Sequence, residues 1–162
     1  MLVEAFRIMG NTWNGRLVLA GRSGRDVVRV RDLLERHGLH DRVKLIVDPD
    51  DAEMARLYEE ATLFAFPSLY EGFGLPVLEA MAVGLPVVVG SSPAAREVAG
   101  DAGLTVTEDT PEEWASMLTR TLGDEIAMKE LGKSSLARAG AFSWESSAEK
   151  TWDILMSCLE AG

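Results

Sequence analysis

The sequence predicts an α/β protein built on a doubly wound parallel sheet. Residues 62–66 and 87–89 form short runs that are apolar on both faces, as expected for strands inside a parallel sheet covered by helices. Segments with helical patterns and capping residues alternate with such runs along the whole chain. With 162 residues the chain is long enough for one domain with a sizeable core, and we expect a single domain over 1–162.

The first part of the chain contains three predicted helices and two predicted strands. One helix carries its apolar residues on a single face and stops at Gly38, a residue type that often ends helices. Another follows Asp50, whose side chain is placed to cap it. The predicted elements are a helix from Leu2 to Met9, a strand from Leu17 to Ala20, a helix from Asp26 to His37, a strand from Val43 to Val47 and a helix from Asp51 to Glu60.

The central stretch, 62–90, predicts a strand, a glycine-bearing loop, a short helix and a second strand. The strands are expected at 62–66 and 87–89. Pro76 is suited to the first helical position, and Gly84 is suited to end the helix.

The last part of the chain is mostly helical by the same criteria. Thr110 and Ser143 are placed as helix caps, and Trp144 and Trp152 share one face of the final helix, where packing is the ordinary role. The predicted elements are a helix from Pro93 to Val98, a strand from Leu104 to Val106 and helices over 111–122, 124–139 and 144–160.

The predicted order begins with a helix, although a doubly wound sheet begins with a strand. In a Rossmann-like sheet with strand order 3-2-1-4-5-6, the missing first strand is a central one. We therefore expect the strands at 17–20 and 62–66 to have unpaired edges where that strand would lie, unless they close up or recruit another chain.

The loop before the short helix has the features of an anion site. Gly72 and Gly74 allow close approach of the backbone, and no Ser, Thr, Asp or Asn precedes Pro76 to cap the helix. The first N–H groups of the helix are therefore expected to be free for a ligand such as phosphate. Alternatively, the glycines only form a tight turn.

Glu71 and Glu79 flank this loop. Carboxylates repel phosphate but accept hydrogen bonds from vicinal hydroxyls. A ligand with an anionic group between two polyols would therefore match both the free amides and the two carboxylates. A nucleotide sugar has that chemistry. In the alternative interpretation, Glu79 only complements the helix dipole.

The segment PSLYEGFGLPVLEAMAVGLPVV closely resembles the donor-site signature of retaining GT-B glycosyltransferases, the glycosyl transferases group 1 family. Its mark is a pair of glutamates separated by seven residues around a GFG-L-P core, here Glu71 and Glu79. The resemblance extends to further segments, namely Val3–Phe6, Arg16–Gly21, Asp41–Lys44, Ala55–Tyr58, Glu97–Gly103 and Phe142–Glu145.

The resemblance implies a role for each residue of the motif. Glu79 would bind the ribose hydroxyls of a UDP- or GDP-sugar donor, and Glu71 would act as a catalytic residue that holds the donor sugar. Gly72 belongs to the binding loop, and the amides of Phe73, Gly74 and Leu75 would take sugar oxygens and the β-phosphate. The reaction would be hexosyl transfer with retention. It would need no cofactor or metal, because Asp48-Pro49-Asp50 matches a helix cap rather than a metal-ligand loop.

The resemblance covers only the C-terminal, donor-binding domain of such an enzyme. It implies that the first strand, the basic loop after it and the N-terminal acceptor domain are absent, so the partners would include that acceptor domain or another chain. A homo-oligomer formed through an unpaired strand edge is a further expectation. The alternative function is a non-catalytic nucleotide-binding or interaction module that is inactive alone.

Charge and composition narrow the remaining possibilities. A net charge of −10 argues against nucleic acid and anionic membrane surfaces as partners. No run approaches the ~20 apolar residues of a membrane span, and the lone Cys158, expected to pack on a helix, suits a reducing cytoplasm. Weaker candidates are phosphate contact by Arg22 or Arg25 and a metal pair at His37 and His40, although a histidine at a helix end needs no metal.

Overall fold

A computed structural model describes residues 1–160 and shows the predicted alternation of helices and strands. The helices are α1 (Leu2–Met9), α2 (Arg25–His37), α3 (Asp51–Glu60), α4 (Leu75–Ala82), α5 (Pro93–Ala99), α6 (Pro111–Leu122), α7 (Glu125–Ala139) and α8 (Trp144–Glu160). The strands are β1 (Leu17–Gly21), β2 (Val43–Val47), β3 (Phe64–Phe66), β4 (Val87–Val89) and β5 (Leu104–Thr105). A 3-10 turn over Gly100–Ala102, which the sequence did not predict, joins α5 to β5.

The strands form two separate parallel sheets. One consists of β1 and β2, and the other has the order β3-β4-β5. The two sheets share no backbone hydrogen bonds within the described residues, and a cleft of about 1010 Å³ lies between β1 and β3. The order is therefore β2-β1-cleft-β3-β4-β5, and the prediction of two unpaired strand edges is confirmed.

Helices cover both faces of this arrangement, as the doubly wound prediction requires. On one face, α1, α2 and α6 pack over the strands through a cluster that includes Phe6, Leu34, Val88 and Trp114. On the other face, α3, α4, α5 and α7 pack through a second cluster centred on residues such as Met81. Consecutive valines of β4 point into opposite clusters, which explains why this strand is apolar on both sides.

Two boundaries in the central stretch differ from the prediction. β3 begins at Phe64 rather than Thr62, and α4 begins at Leu75, so Pro76 is the second rather than the first helical residue. Gly84 lies just beyond the end of α4 with a φ of 78°, in the left-handed region that favours glycine, and its amide donates to the carbonyl of Met81 at 2.9 Å. The predicted stop is confirmed.

Helix α8 projects its apolar side chains into solvent. Trp144 is 79% exposed and Trp152 is 63% exposed, so the prediction that they pack against the body of the protein is wrong. Cys158 on the same helix is also exposed, contrary to expectation. Among residues 1–160, no element covers the apolar side chains of α8. None of the helices in residues 1–160 combines the length and the apolar character of a membrane span.

Candidate functional site

The cleft between the sheets extends to the carboxyl ends of the strands. Gly21, the last residue of β1, lines it together with Arg22 and Asp48, which follow β1 and β2, and Glu79 of α4 contributes a carboxylate. In open α/β sheets, ligands bind outside the carboxyl ends of the strands, where the chain order reverses. The cleft lies at that position.

Gly74 shapes the entrance to α4. It is the N-cap residue, has φ 98° and ψ 37°, and provides no side-chain cap, as predicted. A Cβ added there would lie 3.3 Å from the Cα of Ala95 in α5. Glycine is therefore required twice, by the left-handed backbone and by the close approach of a neighbouring helix.

The start of α4 presents backbone N–H groups without acceptors. Within the described residues, the amides of Phe73, Gly74 and Leu75 donate to no protein group, and Pro76 has no N–H. The amide of Val77 donates to the carbonyl of Gly74 at 2.9 Å, so the expectation that all the first amides are free is wrong for that one. Three consecutive free donors remain, which is the arrangement that binds anions at helix N-termini.

Glu79 is held by Tyr58 of α3. The Tyr58 hydroxyl donates to Glu79 Oε2 at 3.0 Å, and both residues line the cleft. Burial, and secondly the negative charge of Glu79, raise the pKa of Tyr58, so the phenol stays protonated and acts as the donor. Motif reasoning missed Tyr58, although it lies in the Ala55–Tyr58 segment that carried part of the resemblance.

Glu71 is held by Ser68, which precedes it by three positions in the sequence. The Ser68 hydroxyl lies 2.8 Å from Glu71 Oε1 and 3.1 Å from the Tyr70 carbonyl, so its one proton is shared between them. The cleft lining does not include the predicted site residues before Pro76, which are four residues of the loop and the first residue of α4: Glu71, Gly72, Phe73, Gly74 and Leu75.

The loop residue Phe73 is about half exposed. Its ring meets Phe142 edge to face, with centroids 6.1 Å apart. The structure thus places Glu79 in the cleft, and Glu71 with the free amides on the segment beside it.

Two aspartates in the loops after strands have a role that motif reasoning did not predict. Asp48 and Asp109 have φ values of 53° and 49°, which non-glycine residues rarely adopt. Asp48 accepts from the Ser23 amide at 2.8 Å, tying the loops after β1 and β2 together, and this bond holds its pKa below the usual range. For Asp48, its position directly after the apolar run of β2 is the signal that could have found this role.

Asp109 ties together the loops after β4 and β5. It accepts from the Ser91 amide at 2.9 Å and from Trp114 Nε1 at 3.1 Å. Burial acts to raise the pKa of Asp109, but these hydrogen bonds and the charge of Arg96 outweigh it and hold the pKa below the usual range.

The weaker candidates separate from the site. Arg22 lines the cleft, whereas Arg25 begins α2 outside it. His37 Nε2 lies 2.9 Å from Glu4 Oε1, linking α2 to α1. Across residues 1–160, no three His, Cys, Asp or Glu side chains are grouped as metal ligands.

The fold and the cleft define a Rossmann-like α/β domain whose ligand edge offers free amides and carboxylates. The sequence matches the glycosyl transferases group 1 family over residues 1–138, so the chain belongs to that family, as its resemblance to GT-B enzymes predicted.

Curated relatives share the sequence over most of this chain. It is 32% identical over 152 residues to the O-antigen chain mannosyltransferase B of Escherichia coli, which covers 93% of this chain and 40% of that protein. It is 36% identical over 154 residues to the D-inositol 3-phosphate glycosyltransferase of Segniliparus rotundus, and this match covers 91% of this chain and 34% of that protein. The chain therefore spans less than half the length of these relatives.

Solved structures share the fold. Sucrose-phosphate synthase from Thermosynechococcus elongatus superimposes with a TM-score of 0.84 at 27% identity, covering 99% of this chain and 43% of that one. Anabaena HepE, solved in complex with UDP and glucose, superimposes with a TM-score of 0.83 at 22% identity, covering 96% and 44%. At 22% identity, the comparison with HepE shows a common fold.

Proposed function

We propose that this chain is the donor-binding domain of a hexosyltransferase and that it binds a UDP- or GDP-sugar at the mouth of the cleft. The observation that carries the proposal is the set of three free amides, on Phe73, Gly74 and Leu75. They come directly before Pro76 in the sequence, and Pro76 and Glu79 of the same helix line the cleft. Free amides favour an anion, and a carboxylate favours hydroxyl groups. A diphosphate between two sugars satisfies both.

Each site residue has a proposed role. Glu79 accepts from the ribose hydroxyls, and Glu71 accepts from hydroxyls of the donor sugar beside the reacting carbon. The amides of Phe73, Gly74 and Leu75 take sugar oxygens and the β-phosphate. As the leaving diphosphate gains charge, each well-aimed donor contributes about 3 kcal/mol to its stabilisation.

The proposal extends to the whole protein. Transfer occurs with retention and without a metal or other cofactor, in the cytoplasm. Because the chain spans 40% or less of its curated relatives, the proposed partner is an acceptor-binding domain or a second chain. The relatives named as mannosyltransferase and glycosyltransferase, and the fold neighbour solved with UDP and glucose, support this assignment.

Calorimetric titration of the chain with UDP, GDP and their hexose conjugates in EDTA tests the proposal. We expect one nucleotide series to bind, and Glu79→Gln to weaken nucleotide binding about tenfold, since a hydrogen bond to a charged group is lost. Glu71→Gln should remove the added affinity of the sugar but keep that of the nucleotide. Glu149→Gln on exposed α8 is the matched control. If Glu79→Gln and Glu149→Gln change the affinity for the nucleotide equally, the proposal is contradicted.

A second candidate is a non-catalytic nucleotide-binding module. The open sheet between β1 and β3 favours it for this chain in isolation, because a central part of the domain is unfilled. A turnover assay run beside the titration separates the two: binding without transfer supports the module, and transfer supports a complete site.

A further inference from the structure

Tyr58 is a rigid residue outside the motif that predicted the site. Its side chain is buried, with 8% of the residue exposed, and its ring meets Phe64 edge to face with centroids 5.6 Å apart. Phe64 in turn stacks on Phe66 at 5.7 Å. Because these aromatic contacts hold the ring, its hydroxyl has a defined place on the cleft wall.

Glu79 has no such packing of its own. The residue is exposed, and in the described part of the chain no Lys, Arg or His forms an ion pair with it. An unrestrained glutamate side chain samples several rotamers, and ordering it for a ligand costs conformational entropy. The Tyr58 hydroxyl, 3.0 Å from Oε2, is the contact that restrains it.

We propose that Tyr58 is a positioning residue that holds the Glu79 carboxylate on the cleft wall for the vicinal hydroxyls of the nucleotide ribose. A carboxylate has about four acceptor sites, so one bond from Tyr58 leaves Oε1 and a lone pair of Oε2 for the ligand. A neutral donor also leaves the negative charge of Glu79 uncompensated, which strengthens its bonds to hydroxyl groups. This inference rests on the proposed function.

Tyr58→Phe removes the hydroxyl and keeps the packing ring. Binding is measured for UDP or GDP, whichever the wild-type chain binds more tightly, and for the 2′,3′-dideoxy form of the same nucleotide. We expect Tyr58→Phe to weaken binding of the nucleotide about 5-fold to 10-fold, as for a lost hydrogen bond to a charged group, and to leave binding of the dideoxy form unchanged.

Two comparisons make the result specific to the Tyr58–Glu79 pair. The chain has two tyrosines, and Tyr70→Phe removes the other hydroxyl, from a residue that is 87% exposed. That variant should bind both ligands as the wild type does. In a Glu79→Gln background, adding Tyr58→Phe should cause no further loss, because the two residues act through one contact.

The outcomes separate this inference from the function it rests on. If Tyr58→Phe weakens both ligands equally, its hydroxyl is only structural and the inference falls while the proposed function stands. Independent effects of Tyr58→Phe and Glu79→Gln also overturn it. If the wild-type chain binds neither UDP nor GDP, the proposed function falls, and the ribose role of Tyr58 falls with it.

Discussion

Neutral hydroxyl groups hold both acids of the site. Ser68 contacts Glu71 at 2.8 Å and Tyr58 contacts Glu79 at 3.0 Å, and in the chain as described neither acid forms an ion pair. A cation in either position would neutralise the carboxylate that a sugar hydroxyl needs. The hydroxyls instead orient each acid and leave its charge available to a ligand.

At the residue scale, Asp109 is the side chain whose loss we expect to be most costly outside the site. Asp109→Ala leaves the Trp114 indole and the Ser91 amide without an acceptor, which should lower the free energy of unfolding by about 1–3 kcal/mol. Asp109→Asn should cost less, because asparagine keeps a carbonyl oxygen and tolerates the positive φ. Urea unfolding measures both, with Asp153→Ala on α8 as the control.

The stability contribution of Asp109 should depend on pH in a defined direction. Its pKa in the folded protein lies below the ordinary 3.8, so ionised Asp109 stabilises the fold above that pH. As the pH falls below 3.8 and through the folded-state pKa, the advantage of wild type over Asp109→Asn should shrink. Unfolding midpoints measured from pH 7 to pH 2 test this, and a constant difference would contradict it.

At the element scale, helix ends are formed by local chemistry. Asp50, Thr110 and Asp124 each accept from the amide three residues on, at 2.7, 3.2 and 2.9 Å. Helices α3 and α6 begin where the sequence predicted, and α7 begins one residue later. Helix α4 begins differently, because its N-cap residue is Gly74, which has no side chain to accept from the first amides. Those uncapped amides of α4 are the ones that we assign to the ligand.

Two glycines of the same loop should respond differently to alanine. Gly74 has a φ of 98° and its added Cβ would lie 3.3 Å from Ala95 Cα, so Gly74→Ala should destabilise the fold by about 1–3 kcal/mol. An added Cβ at Gly72 meets nothing within 4 Å, so Gly72→Ala should change stability by less than about 0.5 kcal/mol. Equal losses in urea unfolding would show that the approach of α4 to α5 is not restrictive.

At the scale of the whole molecule, the open cleft divides backbone amides into two kinds. The Leu17 amide donates to the Arg42 carbonyl, and the Phe64 amide donates to the Pro86 carbonyl. Successive backbone amides of a strand point to opposite sides, so the amides of Leu17, Leu19 and Gly21 point toward β2, and that of Phe64 points toward β4. The amides of Val18, Ala20 and Ala65 therefore face the cleft. A parallel sheet divided by a gap holds its halves together through helix packing, here between α1 and α6.

Amide hydrogen exchange followed by NMR should resolve this division. Within β1 we expect Val18 and Ala20 to exchange faster than Leu17 and Leu19, since their amides lack a strand partner. The fully buried residues of β4, which is paired on both sides, should exchange slowest. Equal protection of alternate residues in β1 would mean that the sheets close up or that another strand occupies the cleft.

The sequence by itself determined what depends on neighbours along the chain. Apolar runs, caps and stop residues predicted the elements to within two residues, and the strand count predicted the gap between β1 and β3. The motif predicted Gly74 and its free amides because glycine conformation and capping are local properties.

Only the tertiary structure decided what depends on contacts between distant segments. It places Glu79 on the cleft wall and Glu71 on the loop beside it, and it brings Tyr58 of α3 to Glu79 across 21 positions of sequence. It also shows Trp144 and Trp152 in solvent, because an amphipathic pattern predicts an apolar face without showing which surface covers it.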